Sequence, residues 1–202
     1  MSNATLRLEE KIIVALPPHE IKNSFKKMLP FMSEDETRYY LCGIYCHFER
    51  DKLTFCATNG HILCEMVVSP KVLEDGEFTV IMPANAIKHL IKVLPNSDNI
   101  PFMVIKVTED NTEIEFESQD FNYKFKAIDG QFPNYKAMIP DGKIKMRHGM
   151  NAGYLMAALK ALGNIPVDIS IDENEDTANA PHLLTSSEVI GIRCVIMPMR
   201  ME

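Results

Sequence analysis

No stretch of this sequence approaches the run of about 18 apolar residues that a membrane-crossing helix needs. The N-terminus lacks a basic segment followed by an apolar core and a cleavage site, so no membrane partner is expected and the cytoplasm is the default location. The five cysteines, Cys42, Cys46, Cys56, Cys64 and Cys194, form no Cys-x-x-Cys pair of the kind that zinc sites and dithiol redox motifs use. A glycine-rich phosphate loop, a His-Glu-x-x-His sequence and a nucleophile elbow are missing too. An enzyme reading therefore rests on His61 with the nearby Cys64 thiol. No cofactor or metal is called for. Positive charge is scarce: 21 Lys and Arg face 28 Asp and Glu, a net charge of −7, which argues against indiscriminate nucleic-acid binding but not against a local basic surface.

What is present is ample material for a core, with 46% hydrophobic residues in 202. Four of the cysteines lie in strand-like runs. Cys42 and Cys46 fall in one expected strand with Tyr40, Ile44 and Phe48, as small buried hydrophobes do in a reducing compartment. The opening Met-Ser-Asn-Ala is a tag remnant or native sequence, and residues 1–10 are set aside as an N-terminal segment.

The chain repeats itself. Residues 12–29, IIVALPPHEIKNSFKKML, and 78–94, FTVIMPANAIKHLIKVL, share a strand, a proline and a helix at an offset of 66 residues. Val14 matches Val80, Pro17 matches Pro83, Ile21 matches Ile87, Lys22 matches Lys88, Phe25 matches Ile91 and Lys26 matches Lys92. Prolines suit helix starts, where their missing N–H costs nothing. Ile21, Phe25, Met28, Leu29 and Met32, then Ile87, Leu90, Ile91 and Leu94, have helical apolar spacing. Alternating runs predict strands over 39–49, 52–58 and 62–68, then over 102–108, 112–118 and 121–128. The turn sequences ERDK, TNGH and EDNT join them. Both units read β-α-β-β-β, and two such units make one α+β domain, two helices on one face of antiparallel sheets, ending near residue 130. A third start, KIKMRHGMNAGYLMAALKALG at 143–163, opens a half-domain over 141–202, with further strands expected at 166–171, 188–191 and 193–197.

The first two helices concentrate basic residues: Lys22, Lys26, Lys27, Lys88, His89 and Lys92 against the single acid Glu20. Lysines four apart repel on an isolated helix by a few tenths of a kcal/mol, so helix stability does not explain the pattern. Either each helix has an ordinary solvated face, or the repeated bias marks a surface for phosphates contacted without regard to base sequence.

Four motifs carry a family resemblance: TRYYLCG (37–43), ATNGHIL (57–63), AIDGQFPNYKAMIP (127–140) and VIMPMRM (195–201). With the repeats, they make the chain resemble the bacterial sliding clamp, the β subunit of DNA polymerase III. Residues 11–140 resemble the family's middle domain and 143–201 the second half of its last domain. The resemblance implies an α+β DNA-clamp fold of repeated β-α-β-β-β units, with antiparallel sheets outside and helices on one face that line a ring around duplex DNA, and an outer groove that takes short hydrophobic peptides from DNA polymerase and other clamp-binding-motif proteins. Carried over by position, the groove is Leu41, Thr58, Gly60, His61, Leu63, Pro133 and Met138, with Val195, Ile196, Met197, Pro198, Met199 and Arg200 from the tail. Methionines suit a cleft that adapts to several partners. The DNA-facing set is Lys22, Lys26, Lys27, Arg38, Tyr39, Tyr40, Lys88 and Lys92.

The chain departs from the family at several points. Asn59-Gly60 stands for Asp-Gly, Ile62 and Ala137 stand where arginine is common, Glu34, Asp35 and Glu36 precede the TRYY motif, and the third helix has only Lys160. A ring of the familiar kind has twelve helices and this chain supplies three, so the resemblance implies a homo-oligomer, with four copies completing the count. Three readings stand at this point: a shortened clamp, non-catalytic and associated with polymerase, that encircles DNA; a peptide-binding module or competitor that does not encircle it; and the His61–Cys64 enzyme.

Overall fold

The computed structural model describes residues 10–73, 76–95, 102–139, 149–171, 180–188 and 192–199. The chain divides into two compact units, Met1–Met138 and Ile139–Glu202.

The first unit runs β1 (Glu10–Leu16), α1 (Pro18–Met28), β2 (Gly43–Glu49), β3 (Lys52–Thr58), β4 (Leu63–Val68), β5 (Lys71–Val72), β6 (Phe78–Pro83), α2 (Ala84–Val93), β7 (Met103–Thr108), β8 (Glu113–Ser118) and β9 (Phe121–Lys126). Proline enters both helices: Pro17 and Pro83 hold the N-cap positions in extended conformation, and neither helix has a side-chain cap. The element order is the repeated β-α-β-β-β, but the sheets are not built within each repeat. One sheet has the order β5-β1-β7-β8-β9 and the other β4-β3-β2-β6. The first strand of each repeat is therefore exchanged: β1 pairs antiparallel with β7, and β6 with β2.

Exchange joins the two repeats into one core. Alternation puts Ile44, Cys46 and Phe48 of β2, Leu53, Phe55 and Ala57 of β3, and Ile105, Ile114 and Phe116 of the other sheet in a single cluster with Ile21, Phe25, Met28, Ile87 and Leu90 of the helices. Phe25, fully buried, meets Phe55 of one sheet edge-on at 5.5 Å and Phe116 of the other at 6.3 Å. On its opposite face the β7-β8-β9 sheet places its acids beside lysines, with Lys106 2.6 Å from Glu117 and Lys124 2.9 Å from Glu113.

Two expectations change here. The strand predicted from residue 39 begins at Gly43, because Glu36–Leu41 form 3-10 turns. Asp35 caps them by accepting from the Thr37 N–H at 3.0 Å, a local bond that competes with an extended chain. Cys42 is accordingly not on a strand with Cys46, and its thiol donates to the Asp35 carbonyl. The strand expected to reach 128 ends at Lys126, and Ile128 then donates its N–H to the Ile81 carbonyl, closing the outer edge of β6.

The second unit contains α3 (Ala152–Leu162), β10 (Asp168–Ile171), β11 (His182–Thr185) and β12 (Cys194–Ile196), with the sheet order β10-β11-β12. Asn151 caps α3, accepting from the Tyr154 N–H at 3.2 Å, and Gly163 ends it at φ 98°. Among the described residues, Ala158, Leu162, Leu184 and Ile196 form its core cluster, with Leu155, Val167 and Cys194 against them. The strand expected at 188–191 falls largely outside the described residues, and β11 at His182–Thr185 was not anticipated.

Candidate binding surfaces

Thr58, Asn59 and Gly60 build the turn that presents His61. The Thr58 hydroxyl donates to the Ile62 carbonyl at 2.7 Å and accepts from the Gly60 N–H at 3.1 Å. The Asn59 carboxamide oxygen accepts from the N–H groups of His61 and Ile62 at 2.9 and 3.1 Å. Gly60 sits at φ 91°, and a Cβ there would come within 2.9 Å of the Arg38 guanidinium. The turn spends its polar groups on itself and leaves the His61 side chain exposed. Leu63 is half-buried at the start of β4, Leu41 and Thr58 are buried, and Pro133 and Met138 are exposed, Met138 to 77%.

His61 shares a cleft of about 360 Å³ with Pro30, Met32, Asp35, Arg38 and Asn59. Arg38 donates from Nε to Asp35 at 3.0 Å. Hydrogen bonds from Thr37, then from Arg38, hold the Asp35 carboxyl below its usual range, so its negative charge persists beside the guanidinium. A second cleft, about 960 Å³ between Tyr45, Ile81, Asn111, Lys126 and Phe132, takes in the start of the 127–140 motif but none of the residues expected in the groove or facing DNA.

The TRYY motif and residues 127–138 pack together. A Cβ on Gly130 would lie 3.0 Å from Tyr40, and Phe132 stacks on Tyr45 at 4.8 Å with Tyr135 edge-on at 5.8 Å. Phe132 and Tyr135 are thus the anchors of the segment that carries Pro133 and Met138. Sequence reasoning passed over them, although two aromatics flanking Pro133-Asn134 in a polar run were the available signal.

Of the expected DNA-facing residues, Lys26, Lys27, Lys88 and Lys92 are exposed on α1 and α2, Tyr39 is 52% exposed, and Arg38 and Tyr40 are half-buried. Lys22 is a correction. It is only 8% exposed and donates to the Leu94 carbonyl at 2.6 Å, where an ammonium satisfies an end carbonyl of α2 and opposes the helix dipole. Its spacing from Lys26 put it on the basic face in sequence, but the neighbouring helix covers it.

In the second unit, Val195, Met197 and Met199 are exposed to 61%, 61% and 52%, and Pro198 is half-buried. Ile196 is a second correction: strand alternation turns it into the core, 4% exposed. Arg200 lies outside the described residues.

The enzyme reading finds no support in the thiols. Burial pushes Cys64 up, against a smaller opposing effect of Lys27, and pushes Cys56 up to about 12, the opposite of an activated nucleophile. A His47, Glu49 and Glu77 group has its ligand atoms within 4.8 Å of one another, and Glu49 also lies 3.7 Å from Arg50.

The fold defines a class: a repeat-built α+β protein of antiparallel sheets whose first two helices carry exposed lysines. The chain belongs to the DNA polymerase III beta subunit family, whose central-domain model its residues 15–134 match. It is 27% identical over 134 residues to the Beta sliding clamp of Bacillus subtilis, covering 66% of this chain and 34% of that protein. It is 23% identical over 193 residues to the Beta sliding clamp of Escherichia coli K12, covering 91% of this chain and 51% of that one. Among solved structures, the beta subunit from DNA polymerase of Streptococcus pyogenes superposes with a TM-score of 0.72 at 15% identity, over 98% of this chain and 53% of that chain. The B. subtilis sliding clamp superposes at 0.67 with 19% identity, over 97% and 66%. The chain thus spans about half or less of the curated relatives it matches, and the structural likeness speaks for the fold. Among the described residues, no helix is long and apolar enough to cross a membrane.

Proposed function

We propose that this chain is a shortened, non-catalytic clamp-type processivity factor that holds duplex DNA through its helix face and tethers DNA polymerase through a hydrophobic peptide groove. The observation that carries the reading is the exposure of Lys26 and Lys92 at equivalent positions of α1 and α2 in a protein whose net charge is −7. Lys27 and Lys88 extend that face, and contacts of this kind recognise phosphates without reading bases. The candidate groove residues are Leu41, Thr58, Gly60, His61, Leu63, Pro133 and Met138 in the first unit, and Val195, Met197, Pro198, Met199 and Arg200 in the second. Full encirclement takes several copies, four by helix count. The partners are duplex DNA, DNA polymerase and other proteins carrying clamp-binding peptides, in the cytoplasm.

The burial of Lys22 and the pairing of Arg38 with Asp35 favour a second reading, a peptide-binding relative that competes for clamp-binding segments and leaves DNA alone. Salt-dependent affinity for a duplex separates them. Replacing Lys26 and Lys92 together by alanine is expected to weaken binding and flatten the log–log salt slope by about 2, near 0.9 per lost phosphate contact. Wild-type protein that ignores DNA, or an unchanged slope in the variant, leaves the peptide-binding reading.

A further inference from the structure

We infer that His47, Glu49 and Glu77 form a binding site for one divalent transition-metal ion of the zinc type, an ion that clasps β2 to the residue leading into β6. The inference rests on the register of one sheet and not on the DNA reading.

Alternation and register bring the three side chains together. His47 and Glu49 are two residues apart on β2 and share the face of the sheet opposite the buried Cys46 and Phe48. β2 and β6 run antiparallel with Thr79 opposite His47 and Phe78 opposite Phe48, so the next rung sets Glu77 opposite Glu49. His47 Nε2 lies 3.4 Å from a Glu77 carboxylate oxygen, and one ligand atom from each of the three residues lies within 4.8 Å of the other two.

Packing of the sheet does not call for this arrangement, because two carboxylates on one cross-strand rung repel. One imidazole can answer one of them. A divalent ion answers both and takes the ring nitrogen as its third ligand. The His47 side chain is 14% exposed and has the Tyr45 ring at 6.2 Å, whereas Glu49 and Glu77 are 45% and 66% exposed and free to close on an ion from outside. Zinc bonds of about 2.0–2.2 Å at tetrahedral angles set ligand atoms about 3.4 Å apart, so closure takes at most about 1.4 Å, within reach of two exposed glutamates. The donors also select the metal. Imidazole suits zinc and its transition-metal neighbours, while magnesium and calcium take oxygen ligands. Three protein ligands leave a fourth position for water.

The neighbouring cations lie to one side. Arg50, Lys52 and Lys136 line a cleft of about 220 Å³ on the β3 side of His47 and Glu49, where Thr54 and Lys52 are the cross-strand partners. Glu77 stands on the other side, at β6. Arg50 is 3.7 Å from Glu49 with its side chain 86% exposed, a weak surface pair that an ion displaces. β2 and β6 belong to different repeats, so an ion held between them fastens the strand exchange on which the first unit is built.

Isothermal titration of the full chain with zinc, its thiols kept reduced, tests this. Wild type is expected to bind one zinc ion in the micromolar range, and His47→Ala and Glu77→Gln each to weaken that binding about tenfold or more. Glu77→Gln changes an exposed side chain, so it decides the matter if His47→Ala fails to fold. Cobalt(II) in place of zinc reports the ligands: visible d–d bands are expected, without the near-ultraviolet charge-transfer band of a thiolate. No binding by wild type, unchanged binding in Glu77→Gln, or a thiolate band from cysteine ligation overturns the inference.

Discussion

α1 and α3 present apolar residues at the same positions and end in different surroundings. The first unit sets α1 beside α2 and exchanges β1 and β6 between its sheets, so one buried phenylalanine, Phe25, touches both. Among its described residues the second unit has one helix, three short strands and a buried cluster of Ala158, Leu162, Leu184 and Ile196. A repeat of this type has a strand edge and half a helix stripe that it cannot bury alone, and its solution depends on whether another repeat is at hand.

The comparison can be broken first at the cores. Phe25→Ala is expected to cost about 3–5 kcal/mol, because a filled site between two sheets collapses poorly, whereas Leu162→Ala should fall near 2 kcal/mol, the low end for a large-to-small change. Denaturant unfolding measures both, and equal losses would mean the second unit is as tightly packed as the first. Lys22 sharpens the contrast in polar terms. Lys22→Met is expected to cost about 1–3 kcal/mol by leaving the Leu94 carbonyl unsatisfied, with duplex affinity unchanged. A loss of DNA affinity without a loss of stability would return Lys22 to the phosphate-facing set. The smallest effect is at the helix starts: Asn151→Ala should cost about 1 kcal/mol through the lost cap of α3, read as a shift in the unfolding midpoint. No comparable bond exists at Pro17 or Pro83, where proline sets the entry by its own geometry.

Much of the fold is readable from particular residues. Alternation in IYCHF and KLTFCAT gives β2 and β3, the proline before each helical stripe gives α1 and α2, and Asn59-Gly60 gives the turn that displays His61. These signals are local, and each acts over a few residues. The same reasoning fails at Tyr39–Cys42, where alternation continued through the sequence but the Asp35 side chain closed a turn. It missed β11, a run of four residues too short to show alternation, although Pro181 before it and Ser186 after it mark its ends.

The sequence by itself determined the repeated β-α-β-β-β order, the apolar stripe of each helix and the basic bias of α1 and α2, because backbone propensity and side-chain period are properties of a segment. Only the tertiary structure decided which sheet β1 and β6 join, since a strand edge carries the same donors and acceptors whatever its partner. It also decided that Lys22 serves the end of α2, that Arg38 answers Asp35, and that Ile196 faces inward while Val195 and Met197 face out. Each depends on what the fold brings near, and no segment encodes its neighbours.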